Sequence, residues 1–323
     1  MFWRKQASTQ NVLLLDVESS SVGAALAHLS TESAPVLFAE RRIRFAPPRM
    51  LSSVAIASQV EKALHEALAE ISLVAARLRS NPKTANRGIF SRATAFLGAP
   101  WGVPNLAAGK PDFSPYLHTM LKNELALFAD DLPLSLHTSA AAAAYGGAGA
   151  LAGGTILLTI PRGEITELVL LQDGKALGYG TLPVGAHSVY RTLSTHAALT
   201  FAEISTALAL AKHAEHLYHE PFEAAERHWL EQFAEGVETL AQNGTPEEAL
   251  VVAEEPLGSW FARALESDAS LGALFVPGAT VRTFGASRAA ALLAGHAPNP
   301  DLHLALAALF VNGRSRPGLY NRV

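Results

Sequence analysis

Residues 155–185 read TILLTIPRGEITELVLLQDGKALGYGTLPVG. Three strand-like runs follow in succession, at 155–160, 166–172 and 175–184. Asp173-Gly174 separates the second from the third. An Asp-Gly pair between two β-rich runs marks a tight hairpin, because both central residues of that turn take positive φ. The stretch is therefore a β-meander at the start of the second half of the chain.

The first half opens the same way. Apolar runs at 11–17, 22–29 and 36–45 are separated by polar turns at 18–21 and 30–35. Each meander leads into a long helical pattern. In the first half it covers 51–78, with Leu64, Leu68, Ile71 and Leu78 on its apolar positions; in the second it covers 188–211. Each half then continues as strand, helix, strand, helix. The segments are 93–98, 116–128, 133–137 and 139–145, then 249–253, 257–265, 280–284 and 287–293. A repeat of this size is a duplicated domain, since solenoid units are far shorter. Gly146, Gly147, Gly149, Gly153 and Gly154 read as a linker between the halves, which places the boundary between 1–148 and 149–323. Both halves should be mixed sheets flanked by helices.

A chain of 323 residues can bury a large core. Its 49% hydrophobic and 17% charged content excludes a mainly disordered chain. A net charge of −4 gives no global attraction to nucleic acid or an anionic membrane. The most basic stretch, 41–49, holds only a few charges, and Arg41, Arg42 and Arg44 fit an exposed strand edge. There is no cysteine, so disulfides and thiolate metal sites are excluded, which fits a reducing cytoplasm. The opening MFWRKQASTQ lacks the apolar core of a signal peptide. No apolar run reaches the ~20 residues that span a bilayer.

The run Leu13-Leu14-Leu15-Asp16-Val17-Glu18-Ser19-Ser20-Ser21-Val22 carries a resemblance. Read alone, D-x-x-S-S-S is also a plain polar hairpin. It resembles the first phosphate loop of actin-like ATPases of the FtsA and PilM branch, L-D-[IV]-G-[ST]-[SY]-[ST]-[VI]-K. Asp16, Val17, Ser19, Ser20, Ser21 and Val22 match it. The run TELVLLQDGKALGYGTLPVGAHSV at 166–189 resembles the stretch after the family's second phosphate loop, and 301–310 stands in the place of its final helix. The resemblance implies an α/β fold of two ribonuclease-H-like, actin-like lobes with a cleft between them. In such a loop, backbone N–H groups and hydroxyls face phosphate oxygens, glycine permits close approach, and an acidic residue holds the metal ion.

The departures from the family pattern fall on the residues that touch nucleotide. Glu18 replaces the close-approach glycine, and Gly23 replaces the lysine. The second loop, D-[IL]-G-[GA]-[GA]-T-[TS] in the family, is here Thr159-Ile160-Pro161-Arg162-Gly163-Glu164-Ile165. Thr159 stands for the metal-facing aspartate, Pro161 removes an N–H donor, and Arg162 replaces a small residue. The third loop, a glycine turn in the family, is Glu254-Glu255-Pro256. One carboxylate about 4 Å from a phosphate charge costs about 4 kcal/mol at an effective dielectric near 20. That is roughly a thousandfold in affinity. The resemblance thus implies a pseudo-ATPase without catalytic residues, metal or cofactor. Its remnant loops are Asp16, Glu18, Ser19, Ser20, Ser21, Thr159, Arg162, Gly163, Glu254 and Glu255. Binding of ATP and Mg²⁺ by a divergent ATPase or kinase is the alternative.

Other stretches have plainer readings. His213, His216 and His219, with Glu215 and Glu220, sit in a helical pattern ended by Pro221. His216 and Glu220 share a helix face and could meet a metal, but a solvated helix end also accounts for them. Trp229, Phe233, Val237 and Leu240 form a helical stripe within 223–240. Trp101 fits the core or a partner anchor. Only 103–131 is available for the accessory subdomain that FtsA and PilM carry, so it should be reduced or absent. The terminal RSRPGLYNRV is not an amphipathic helix of the kind that anchors FtsA. The resemblance therefore implies a PilM-like cytoplasmic adaptor, peripheral at the inner membrane through a membrane-anchored protein of a pilus or secretion assembly. An FtsA-like division scaffold is the other branch, with self-association open to both. The net charge of −4 speaks against nucleic acid binding, and the lack of an apolar span and of an amphipathic tail against direct membrane insertion.

Overall fold

The computed structural model describes residues 9–46, 52–129, 131–150, 154–268, 272–295 and 299–314, without the side chains of 148–150 and 211–217. The first meander forms as expected. Strands β1 (Thr9–Val17), β2 (Ser21–Ser30) and β3 (Val36–Arg44) pair antiparallel in chain order. Helix α1 (Ser53–Ser80) starts at Ser52, whose hydroxyl accepts the Ala55 N–H, and it buries Val60, Leu64, Leu68 and Ile71. β4 (Ala93–Leu97) returns parallel to β1, and β7 (Leu134–Thr138) lies parallel to β4. Between them come a two-stranded hairpin, β5 (Gly102–Val103) with β6 (Asp112–Phe113), and helix α2 (Pro115–Ala126). The sheet order is β3-β2-β1-β4-β7.

The second half repeats this order. β8 (Thr155–Pro161), β9 (Thr166–Gln172), β10 (Lys175–Leu182), β11 (Glu248–Val252) and β12 (Thr280–Phe284) make a sheet ordered β10-β9-β8-β11-β12. Asp173 and Gly174 have φ of 49° and 77°, as the hairpin requires. In each sheet the first strand in sequence is the central one. It packs both faces against apolar layers, which is why β1 and β8 read as continuous apolar runs and not as alternations.

Among its described residues the span 103–131 holds the end of β5, then β6, α2 and the loops beside them, and α2 buries Leu117, Met120, Leu121 and Leu125 in the core of the first sheet. Trp101 is buried in the same core. The 188–211 pattern is not one helix. α4 (Ala186–Ala197) stops where Ala198 takes φ 52°, and α5 (Phe201–Ala209) starts with a capping box between Thr200 and Glu203. A T-x-x-E box is a helix start. Helix α6 (Ala211–Ala241) runs through Pro221, with non-helical angles at Tyr218. The break that proline imposes is thus absorbed three residues earlier, as a kink. The side chains of His213, Glu215 and His216 lie outside the described ones; His219 sits 3.3 Å from Glu223 on the exposed surface. The remaining helices are α7 (Leu257–Ser267), α8 (Ala286–Ala290) and α9 (Leu302–Arg314). Among the described residues, no helix is long and apolar enough to cross a membrane. All of RSRPGLYNRV after Arg314 lies outside the described residues.

The glycine-rich segment corrects the linker reading. Gly146 and Gly147 lie inside helix α3 (Ser139–Ala150). A Cβ at Gly146 would sit 2.3 Å from Leu306 of α9, so the glycine permits close helix packing. α3 ends the first half in sequence but packs on β8 and β9 as well as on α9. α9 ends the second half but packs on β1 and β2. The terminal helix of each half therefore lies against the other half's sheet. One buried cluster runs through Val12, Leu14, Ala143, Leu158, Leu250, Leu304 and Phe310.

Candidate functional site

The two meanders meet at their first turns. Strand β1 carries Asp16 to the lobe interface, and the β1–β2 turn presents Glu18, Ser19 and Ser20. The β8–β9 turn approaches from the other lobe with Arg162, Gly163 and Glu164. The approach is close: a Cβ on Gly163 would lie 2.4 Å from the Cβ of Ser20. The missing side chain at Gly163 is therefore what lets the two turns touch.

The side-chain acceptors of Asp16, Glu18 and Ser19 are all engaged. Asp16 Oδ1 accepts from Ser139 Oγ at 3.1 Å and Arg162 Nη2 at 3.3 Å; Oδ2 accepts from Arg162 Nη1 at 3.1 Å and Arg42 Nη2 at 2.8 Å. Glu18 Oε1 accepts from the hydroxyls of Ser20 at 2.9 Å and Ser21 at 2.6 Å, and Oε2 accepts the Gly163 N–H at 3.1 Å. Ser19 Oγ accepts the Glu164 N–H at 2.9 Å. Coordination of a metal ion by Asp16 would require these bonds to break, because neither oxygen has fewer than two donors.

The charges are balanced in a buried place. Asp16 is 1%, Glu18 7% and Arg162 3% exposed. Burial pushes Asp16 and Glu18 upward, but Arg162 and Arg42 outweigh it and hold both below the ordinary carboxylate range. The same carboxylates raise Arg162 against its own burial. His303, at the start of α9, is kept neutral: burial, then Arg162, lowers it to about 3.

Arg42 corrects the reading of 41–44 as an exposed edge. Its side chain is buried, paired with Asp16 and with Asp301, the residue that caps α9 by accepting the Leu304 N–H. Arg42 lies opposite Gly23 in the β2–β3 register, and the bare Gly23 leaves room for its guanidinium. Arg42 thus brings a cation from the neighbouring strand into the space that Gly23 leaves open. Arg41 is exposed and pairs with Glu70. Arg44 is half exposed and pairs with Glu254.

Glu254 joins the site through Arg44 and Glu255 does not. Glu255 accepts the Ser259 N–H at the start of α7. Thr159 is fully buried on β8, with no hydrogen-bond partner for its hydroxyl among the described residues. Sequence reasoning missed Arg42, Ser139, Asp301, His303 and Glu167. Glu167 is fully buried on β9 and accepts from Tyr179 at 2.8 Å. Burial pushes it up to about 7, partly opposed by Arg162. The loop itself is braced from outside. Glu164 pairs with Arg191 at 2.6 Å and lies 3.0 Å from His187; burial raises it, but these partners bring it down to about 2.

The cleft has two parts: a wide one of about 730 Å³, bordered by Arg42, Arg44, Glu254, Glu255, Arg288 and Asp301, and a small one against the two turns. The small one, of about 100 Å³, is bordered by Glu18, Ser20, Arg42, Arg162, Tyr190 and Phe201. Small-molecule pockets start at roughly 300 Å³. A further groove of about 560 Å³ lies between the β9–β10 hairpin, α3, α9 and the loop 104–111. Its wall is largely apolar, with Ala140, Ala144, Val169 and Phe310, and Lys110, Lys175 and Arg314 also line it.

No protein-family model and no curated protein matches the sequence. Solved structures do match the fold. The chain is similar to a PilM–PilN type IV pilus biogenesis complex, at 13% identity and a TM-score of 0.60, over 93% of this chain and 98% of that one. It is also similar to the ethanolamine utilization protein EutJ from Carboxydothermus hydrogenoformans, at 15% identity and a TM-score of 0.52, over 94% and 90%. The shared architecture is the two-lobed actin-like fold, one mixed five-stranded sheet in each lobe.

Proposed function

We propose that this chain, which has the actin-like fold, is a non-catalytic PilM-like scaffold that docks a membrane-anchored protein of a pilus or secretion assembly at the cytoplasmic side of the inner membrane. One observation carries the non-catalytic part: Arg162 and Arg42 saturate the Asp16 carboxylate. In this reading the metal-holding aspartate has become one member of a buried ion cluster. The expected charge repulsion is thereby corrected. Glu18 and Glu254 do not stand as bare negative charges against a ligand; they are paired within the chain. The obstacle to nucleotide is occupancy more than repulsion.

The adaptor part rests on the likeness to the PilM of a PilM–PilN complex and on the apolar groove with its three cations. Such a groove suits a short extended segment with apolar side chains and flanking carboxylates. The test is binding of synthetic cytoplasmic segments of the inner-membrane proteins encoded beside this chain. One pilus-type segment should bind equally with and without ATP. Lys110→Glu with Lys175→Glu should weaken it about tenfold or more, since reversing charge beside a desolvated contact costs a kcal/mol or more. Binding only to division proteins would favour an FtsA-like scaffold, and binding that needs ATP would remove the non-catalytic reading.

A further inference from the structure

We propose that the two loops still form an anion site, and that its ligand is the chain's own Glu18 carboxylate, a tethered anion that closes the lobes on each other. The donors are those that a phosphate would use. Two hydroxyls come from the first loop, Ser20 and Ser21, and one backbone N–H comes from Gly163 of the second. Two guanidinium groups stand beside them, Arg42 bonded to Ser21 at 2.6 Å and Arg162 next in sequence to Gly163. A turn that aims an N–H and hydroxyls at one point is an anion-binding concavity. The Glu18 side chain fills that point from inside, and it bridges the lobes because its Oε1 donors belong to one and its Oε2 donor to the other. The residue is buried, and its arginine neighbours hold it ionised despite that burial. A ligand phosphate in such a cleft would have to be supplied from solution and would leave again. A carboxylate fixed to the chain is always present, so closure of the lobes is independent of any ligand.

The inference rests on the reading that this cleft does not take nucleotide, but it is tested separately. Its direct consequence is chemical rescue. Removing the side chain leaves three donors and two cations around a space the size of a carboxylate, next to the cavity that borders Glu18. Thermal unfolding of the unaltered chain, Glu18→Ala and Glu18→Gln should be followed with inorganic phosphate or acetate at 0–50 mM, with chloride holding ionic strength constant. Glu18→Ala should melt several degrees lower than the unaltered chain. Phosphate or acetate should restore much of that loss with saturation, and should not shift the unaltered chain. Glu18→Gln should also melt lower, because an amide fills the space without the charge, and should show no rescue. If Glu18→Ala does not fold, the comparison of Glu18→Gln with the unaltered chain decides, together with hydrogen exchange at the Gly163 amide. That amide should exchange at least tenfold faster in the Gln variant. Unchanged melting and exchange in the variants would overturn the inference, as would equal anion shifts in all three proteins. ATP binding to the unaltered chain would instead remove the underlying reading, whatever the rescue shows.

Discussion

Arg162→Met is expected to lose about 3–5 kcal/mol of folding stability at pH 7, the range for removing one partner of a buried ion pair. The methionine nearly fills the volume, so the loss reports charge and hydrogen bonds more than a cavity. Asp16 would lose two of its four bonds, and Glu18 would lose its strongest cationic neighbour. The pH dependence identifies the cause. In the unaltered chain both carboxylates lie below their ordinary values of 3.8 and 4.5. Their contribution is present above those values and is lost as pH falls through the lower folded ones. In Arg162→Met only Arg42 is left as a close cation against the effect of burial, so both folded values rise, toward and past the ordinary ones. The gap between variant and unaltered chain should therefore shrink as pH is lowered from 7 to 4. Denaturant melts across that range check it. A constant gap would mean the arginine acts through packing alone.

Glu167→Gln should do the reverse and stabilise the protein at high pH. Glu167 is raised from 4.5 to about 7, so the folded chain holds a proton there that the unfolded chain releases. Stability is then lost as pH rises from 4.5 to 7 and stays lost above 7. An increase of that size corresponds to at most about 3 kcal/mol. A glutamine keeps the shape and the contact with Tyr179 without the ionisation. The variant should match the unaltered chain near pH 4.5 and exceed it at pH 8, in the same denaturant melts. Lower stability of the variant at pH 8 would show that the ionised carboxylate is needed.

The fold was largely legible in the sequence because both meanders carry strong local signals. Asp173-Gly174 fixes one hairpin by its own backbone preference, and the long apolar runs of β1 and β8 mark central strands. The repeated order of elements then gives both sheets. What could not be read was tertiary. Gly146 and Gly147 have the composition of a linker, and only the position of Leu306 explains them as a helix contact. The break between α4 and α5 was readable from Thr200-x-x-Glu203 but was overridden by the apolar periodicity around it.

The candidate site was half legible. The loop motif located Asp16, Glu18 and the serines, and the place of the second loop located Arg162 and Gly163. Their pairing was not visible, because it depends on residues far apart in the chain. Arg42 reaches Asp16 only through the β2–β3 register, and α9 brings His303 and Asp301 back to the first lobe from 259 or more residues away. Three arginines within 41–44 read as one exposed edge, whereas strand alternation turns Arg42 inward and its neighbour Arg41 outward.

The central claim is that the seam between the two turns, where a phosphate and its metal ion would sit, is filled by the chain's own carboxylates and guanidinium groups, and a calorimetric titration of the unaltered protein with ATP and Mg²⁺ tests it most directly. The account predicts no saturable heat at micromolar nucleotide and no phosphate release. Saturable binding that Asp16→Ala weakens would contradict it, for Asp16 would then be free to hold a metal ion.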